Sequence, residues 1–163
     1  MRRVFLTLVV GLVLGPLAAA PGALAASPAG AGGGGSLAVS GANGSLVVTG
    51  QGVIFGYFDQ GSLLIFHYNP DNTSDAISVE GANGRSGSGV TIYSGSQVRF
   101  LLPAGSYTVE LVGSGIDVSA VGRGMINVSA NSNFSTGVLA LDGGRPASFA
   151  RVAVPASFGD VGP

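Results

Sequence analysis

From Leu37 onward no stretch of the chain carries apolar residues at helical spacing. Short runs rich in Val, Ile, Phe and Tyr recur instead, interrupted by Gly, Asn, Pro, Asp and Ser. The strand candidates are 37–40, 45–49, 53–58, 62–68, 76–80, 89–94, 97–102, 106–112, 116–121, 125–130, 137–141 and 148–154. Even spacing with turn signals predicts an all-β domain of about 9–12 short strands. The expected architecture is a single antiparallel β-sandwich, Greek-key or jelly-roll-like, or a small closed barrel.

Side-chain alternation suggests three hairpins. A Pro103-Ala104-Gly105-Ser106 connection would pair Leu102 with Tyr107, Phe100 with Val109 and Val98 with Leu111, all on a buried face. That register sets Arg99 opposite Glu110 as a structural ion pair, worth about 0–1 kcal/mol if exposed. Gly122-Arg123-Gly124 would join 116–121 to 125–130, and Asp59-Gln60-Gly61 would join 53–58 to 62–68. The run 62–68 is apolar on both faces, as in a strand that is central or covered on both sides. Gly-Ala-Asn-Gly occurs at 41–44 and again at 81–84. It reads first as recurrent turn chemistry, with duplication of a Greek-key half as the alternative.

Ahead of this region, Arg2 and Arg3 are followed by an apolar run from Val4 to Ala20, a Pro21-Gly22 break and Ala23-Leu24-Ala25. A positive n-region, an apolar h-region and small residues at −3 and −1 predict a secretory signal peptide cleaved after Ala25. A retained membrane anchor is the alternative; cleavage would leave no stable membrane span. Arg2-Arg3-Val4-Phe5-Leu6 resembles a twin-arginine core, but it lacks the preceding polar residue and its h-region is very apolar. General secretory export is therefore expected. The organisation that follows is signal peptide 1–25, glycine-rich leader 26–36, all-β domain 37–158 and a tail 159–163.

Composition narrows the chemistry. Cysteine is absent, which excludes disulfides, zinc-thiolate sites, iron–sulfur clusters and a lipid-anchored lipoprotein. All seven basic residues are arginine, against eight acids. No basic patch can be assembled, so nucleic acid is not an expected partner. Arginine-only basicity with abundant Ala, Gly and Val suits a high-GC bacterial source.

His67 is the sole histidine, and any triad must use it. Lying in a dense apolar strand, it reads as a partly buried structural residue. No Gly-x-Ser-x-Gly elbow is present; Gly87-Ser88-Gly89 and Gly113-Ser114-Gly115 read as turns. Asp71, Thr73 and Asp75 alternate as oxygen donors, like the opening of a calcium loop. The glycine and distal glutamate of such a loop are missing, so a solvated Asn-Pro-Asp turn is the primary reading and a metal site the alternative. Glycoside hydrolysis needs two carboxylates about 5–10 Å apart, for which Glu80, Glu110 and Asp117 are the candidates. Tryptophan is absent, leaving Tyr57, Tyr68, Tyr93 and Tyr107 for stacking on sugars, with Tyr107 already assigned to the core. Glycosylation tripeptides at Asn43, Asn72, Asn127 and Asn133 are discounted as chance matches in an Asn- and Ser-rich chain.

Gly52-Val53-Ile54-Phe55-Gly56, Asp59-Gln60-Gly61-Ser62, Val98-Arg99-Phe100, Gly105-Ser106-Tyr107 and the run from Gly113 to Gly122 carry a resemblance. Over 52–125 the chain resembles a group of secreted β-rich proteins of high-GC Gram-positive bacteria. The resemblance implies a shared β-fold. It carries no activity, and no functional residue is transferred from it.

The leading expectation is a non-catalytic β-domain, secreted or held at the cell envelope, with a binding or structural role and no cofactor. Cell-wall polymers, extracellular polymers and proteins are the partner classes considered. A small glycan hydrolase built on a carboxylate pair is the first alternative, and an envelope β-barrel or pore component the second.

Overall fold

A computed structural model describes residues 34–72, 76–128, 136–149 and 155–159. The protein is all-β and antiparallel, and its sheet is not closed into a barrel. Six strands are present among the described residues: β1 (Gly35–Pro70), β2 (Ser78–Gly87), β3 (Val90–Val128), β4 (Val138–Leu141), β5 (Ala147–Ser148) and β6 (Ala156–Phe158). Two of them are very long. At 36 residues a straight β1 would span about 120 Å, so it must bend repeatedly.

The register shows how. Most of β1 pairs with β3 on both sides: Leu46 lies beside Leu111 and Val128, Ile54 beside Leu102 and Ala120, and Ile65 beside Thr91 and Val109. The two strands therefore form one antiparallel ribbon wound upon itself, the winding of a jelly roll. Segments 36–43, 53–60, 96–104 and 114–121, with β4 and the start of β2, make a front layer. Segments 45–51, 62–69, 90–94, 106–112 and 123–128, with β6 and the rest of β2, make a back layer.

Glycines mark the corners between the layers. One row runs across the ribbon through Gly35, Gly122, Gly52 and Gly105 to Pro70, the other through Gly44, Gly113, Gly61 and Gly95 to Ala82. Gly52 shows the requirement. Its φ is +134°, and a methyl there would lie 2.0 Å from the Val121 carbonyl oxygen. Only a residue without Cβ lets the neighbouring backbones approach so closely at a bend.

Between the corners, alternation supplies a single core. Leu37, Ile54, Phe58, Leu102, Ile116 and Val118 point inward from the front layer, and Leu46, Val48, Leu63, Tyr107, Val109 and Leu111 from the back. At several corners the buried set changes parity, from 58 to 63 and from 111 to 116, because the bulges insert residues that reverse the pleat.

Most of the short expected segments are thus present, 129–130 and 150–154 lying outside the described residues, but the three expected hairpins are not. Leu102 pairs with Ile54 and Ala120 with Ile54 and Leu37, while Tyr107 pairs with Gly50 and Tyr68. The chain runs through Gly105, Gly61 and the Gly122-Arg123-Gly124 stretch without reversing, because at a corner glycine serves a bend within one strand. Gly113-Ser114-Gly115 likewise lies inside β3, whereas Gly87-Ser88-Gly89 is part of the turn joining β2 to β3, with positive φ at Ser88 and Gly89. Both Gly-Ala-Asn-Gly copies sit at the second corner row, each led by a left-handed glycine (Gly41 at +62°, Gly81 at +79°). Neither forms a hairpin turn.

Candidate functional site

Of the residues singled out in the sequence, several do not converge. The Arg99–Glu110 pair is absent because its hairpin is absent: Arg99 is on the front layer beside Tyr57 and Glu80, and Glu110 on the back layer beside Val47 and Leu64. Glu110 accepts a hydrogen bond from the Ser45 hydroxyl instead. His67 is exposed rather than partly buried, since a register irregularity after Ile65 turns both Phe66 and His67 outward. Its Nε2 lies 3.5 Å from the Ser106 hydroxyl. Asp71 is exposed; Thr73 and Asp75 lie outside the described residues, as does the expected signal segment 1–25 with Ala25. Among the described residues no group of three or more His, Asp or Glu side chains could hold a metal ion.

The outer surface of the front layer does gather chemistry. Register places Asp117, Tyr57, Arg99 and Glu80 directly side by side across four strand segments. The next row toward the first corner holds Ser119, Phe55, Leu101 and Ser78, and Phe55 and Leu101 are exposed. Toward the second corner come Asp59, Gln97 and Gly81. One face therefore carries an apolar stripe, a charged stripe and a polar border in succession.

Two depressions open on either side of Arg99 and Tyr57. One, of about 390 Å³, is lined by Tyr57, Glu80, Gly81, Gln97 and Arg99. The other, of about 370 Å³, is lined by Phe55, Gly56, Tyr57, Arg99, Phe100, Asp117 and Ser119. Gly56 shapes the second from beneath: a methyl on it would meet the Phe100 ring at 2.8 Å. Together they form a groove running across the strands, apolar at one end and polar at the other.

Two carboxylates of this face are already anchored. The Tyr57 hydroxyl donates to Asp59 Oδ1 at 2.7 Å, and this bond, with a smaller contribution from desolvation, raises the Tyr57 phenol above its ordinary range. Asp117 Oδ1 accepts the Gly41 amide at 2.8 Å. By contrast, Arg99 and Glu80 have no hydrogen-bond or ion-pair partner among the described residues. They are cross-strand neighbours whose side chains line the groove.

Gln97 is the structural anomaly of the site. Its φ of +54° lies in the left-handed region in the midst of a long strand, a conformation that costs a residue with a Cβ about 1–2 kcal/mol. Sequence reasoning passed over Gln97 and Phe55. Alternation alone places Phe55 on the outer face, but the row it joins requires the pairing of 53–60 with 96–104 and 114–121.

Comparison of the chain with protein-family models, with curated proteins and with solved structures gives no match in any of the three.

Proposed function

We propose that this protein is an exported, non-catalytic binding domain that holds an extracellular or cell-envelope polymer on the outer face of its front layer. Export is supported by Arg2-Arg3, the apolar run Val4 to Ala20 and the Ala23-Leu24-Ala25 site. The observation that carries the binding reading is the row of Asp117, Tyr57, Arg99 and Glu80, whose guanidinium and carboxylate border a groove beside exposed Phe55. Exposed aromatic and charged side chains on a rigid sheet form a preorganised contact surface.

The separation of Glu80, Asp117 and Glu110 favours binding over hydrolysis by those three acids. Glu80 and Asp117 stand at opposite ends of that row, three strand spacings or about 14 Å apart along the backbone. Glu110 belongs to the other layer. A glycosidase pair needs about 5–10 Å. The open sheet also supports a domain that works by its faces rather than through a lumen.

Two measurements test this reading. Fractionation of a culture expressing the full chain should place it in the medium or on the envelope, with a mature N-terminus at Ala26. Isolated envelopes and extracellular polymer should retain the protein, and Arg99→Ala combined with Tyr57→Ala should release it. Retention that ignores both substitutions would remove this face from the argument.

A further inference from the structure

We infer that the groove takes a neutral polysaccharide chain, laid across the strands with a sugar edge against Arg99, Gln97 and Glu80. This inference rests on the binding reading above and names its ligand class. Glu80, Asp117 and Asp59 surround one guanidinium, Arg99, so the face as a whole disfavours an anionic polymer, and two of those carboxylates are already engaged, Asp59 by the Tyr57 hydroxyl and Asp117 by the Gly41 amide. Donors and acceptors nevertheless alternate across it. The Arg99 fork donates, the Glu80 carboxylate accepts, the Gln97 amide does both, and Ser119 adds a hydroxyl. Vicinal sugar hydroxyls, each donor and acceptor at once, match that pattern.

Exposed Phe55, beside the bare backbone of Gly56, supplies an apolar floor next to the polar row, as a pyranose with one face of C–H groups and polar edges requires. The groove crosses four strand segments, a length of about 14 Å, which suits several linked rings rather than one small molecule.

At the second corner the left-handed residues Gly41, Gly81 and Gly115 are all glycine, and Gln97 alone keeps a side chain there. That side chain is exposed and lines the groove, and no hydrogen bond within the described residues uses it. Backbone strain retained beside a cleft, by a side chain that packing does not employ, points to a ligand contact.

Affinity electrophoresis of the full chain through gels containing a β-glucan, an α-glucan, a galactomannan, an arabinogalactan or polygalacturonate tests the inference. At least one neutral polymer should retard the protein. Tyr57→Ala and Gln97→Gly should each weaken that retardation at least tenfold, while Thr108→Ala on the back layer leaves it unchanged. Gln97→Gly relieves the backbone, so lost binding in that variant cannot be ascribed to lost folding; circular dichroism melting checks this directly. Retardation by none of the neutral polymers overturns the inference. Retardation by polygalacturonate alone, or envelope retention that depends on Arg99 and Tyr57 but survives glycan digestion, also overturns it while leaving the binding face standing. Retention insensitive to Arg99 and Tyr57 removes both.

Discussion

Gln97 and Gly81 meet where β3 and β2 turn the second corner, both with left-handed backbones, and a methyl on Gly81 would lie 2.9 Å from the Gln97 carbonyl oxygen. The two positions should respond oppositely to substitution. Gly81→Ala adds a left-handed Cβ and a tight contact, and should cost about 2 kcal/mol. Gln97→Gly relieves about 1–2 kcal/mol of backbone strain and gives back about 0.4–1 kcal/mol through a freer unfolded chain. Its net effect should be a small stabilisation, and urea denaturation of both variants checks the pair.

Tyr107 is buried, and its hydroxyl has no hydrogen-bond partner among the described residues. Tyr107→Phe removes that unsatisfied group at constant shape, so it should stabilise the fold by about 1 kcal/mol, measured as a raised denaturation midpoint.

Burial also pushes the Tyr107 phenol up to about 12. Unfolding frees it to ionise near pH 10, so between those values the unfolded chain binds fewer protons than the folded one. Stability should be level below about pH 10 and fall as pH rises toward 12. The raised Tyr57 phenol adds to the same trend. Denaturation followed from pH 8 to 12 should show a shallower decline in Tyr107→Phe than in the parent.

Gly52→Ala should be far more damaging than an ordinary surface change. The new methyl would strike the Val121 carbonyl at a left-handed position in the first corner, for a combined cost of at least about 3 kcal/mol. A fall of that size in unfolding free energy is the expected measurement, and a change under about 1 kcal/mol would contradict the corner assignment.

Asp142 ties the beginning of β1 to the residue after β6. Its Oδ1 accepts the amides of Ser36 and Gly159, each at 2.9 Å, and its own amide donates to the Ser36 carbonyl at 2.7 Å. Asp142→Ala should cost about 2 kcal/mol through loss of charge-assisted bonds. Asp142→Asn should cost less, because Asn keeps the acceptor and tolerates the +51° φ. Hydrogen exchange at the Ser36 and Gly159 amides should accelerate in the first variant and much less in the second.

The strand segments were legible because alternation is a local property: 53–58, 98–102 and 107–111 bury the side chains that their period demands. What joins them was not legible. Gly105 and Gly61 resemble the glycines of hairpin loops, and the same conformational freedom that closes a loop also lets a strand bend. Choosing between the two requires knowing that Leu102 lies beside Ile54 rather than Tyr107, a pairing distant in sequence. The candidate site inherited that difficulty. Arg99, Glu80, Asp117 and Tyr57 were each noticed, but their shared row exists only once β1 has been placed between two passages of β3. His67 failed for a smaller reason, one register irregularity that reversed the face it occupies.

The doubled pairing of β1 has a bearing on proteolysis. A protease must free an extended stretch of chain before cutting it, and such stretches come from local opening. From Leu46 to Ile65 nearly every residue is clasped by a ladder on each side, so no inner turn can peel away alone. With no cysteine available to staple it, the wound ladder itself is what must open before digestion can begin.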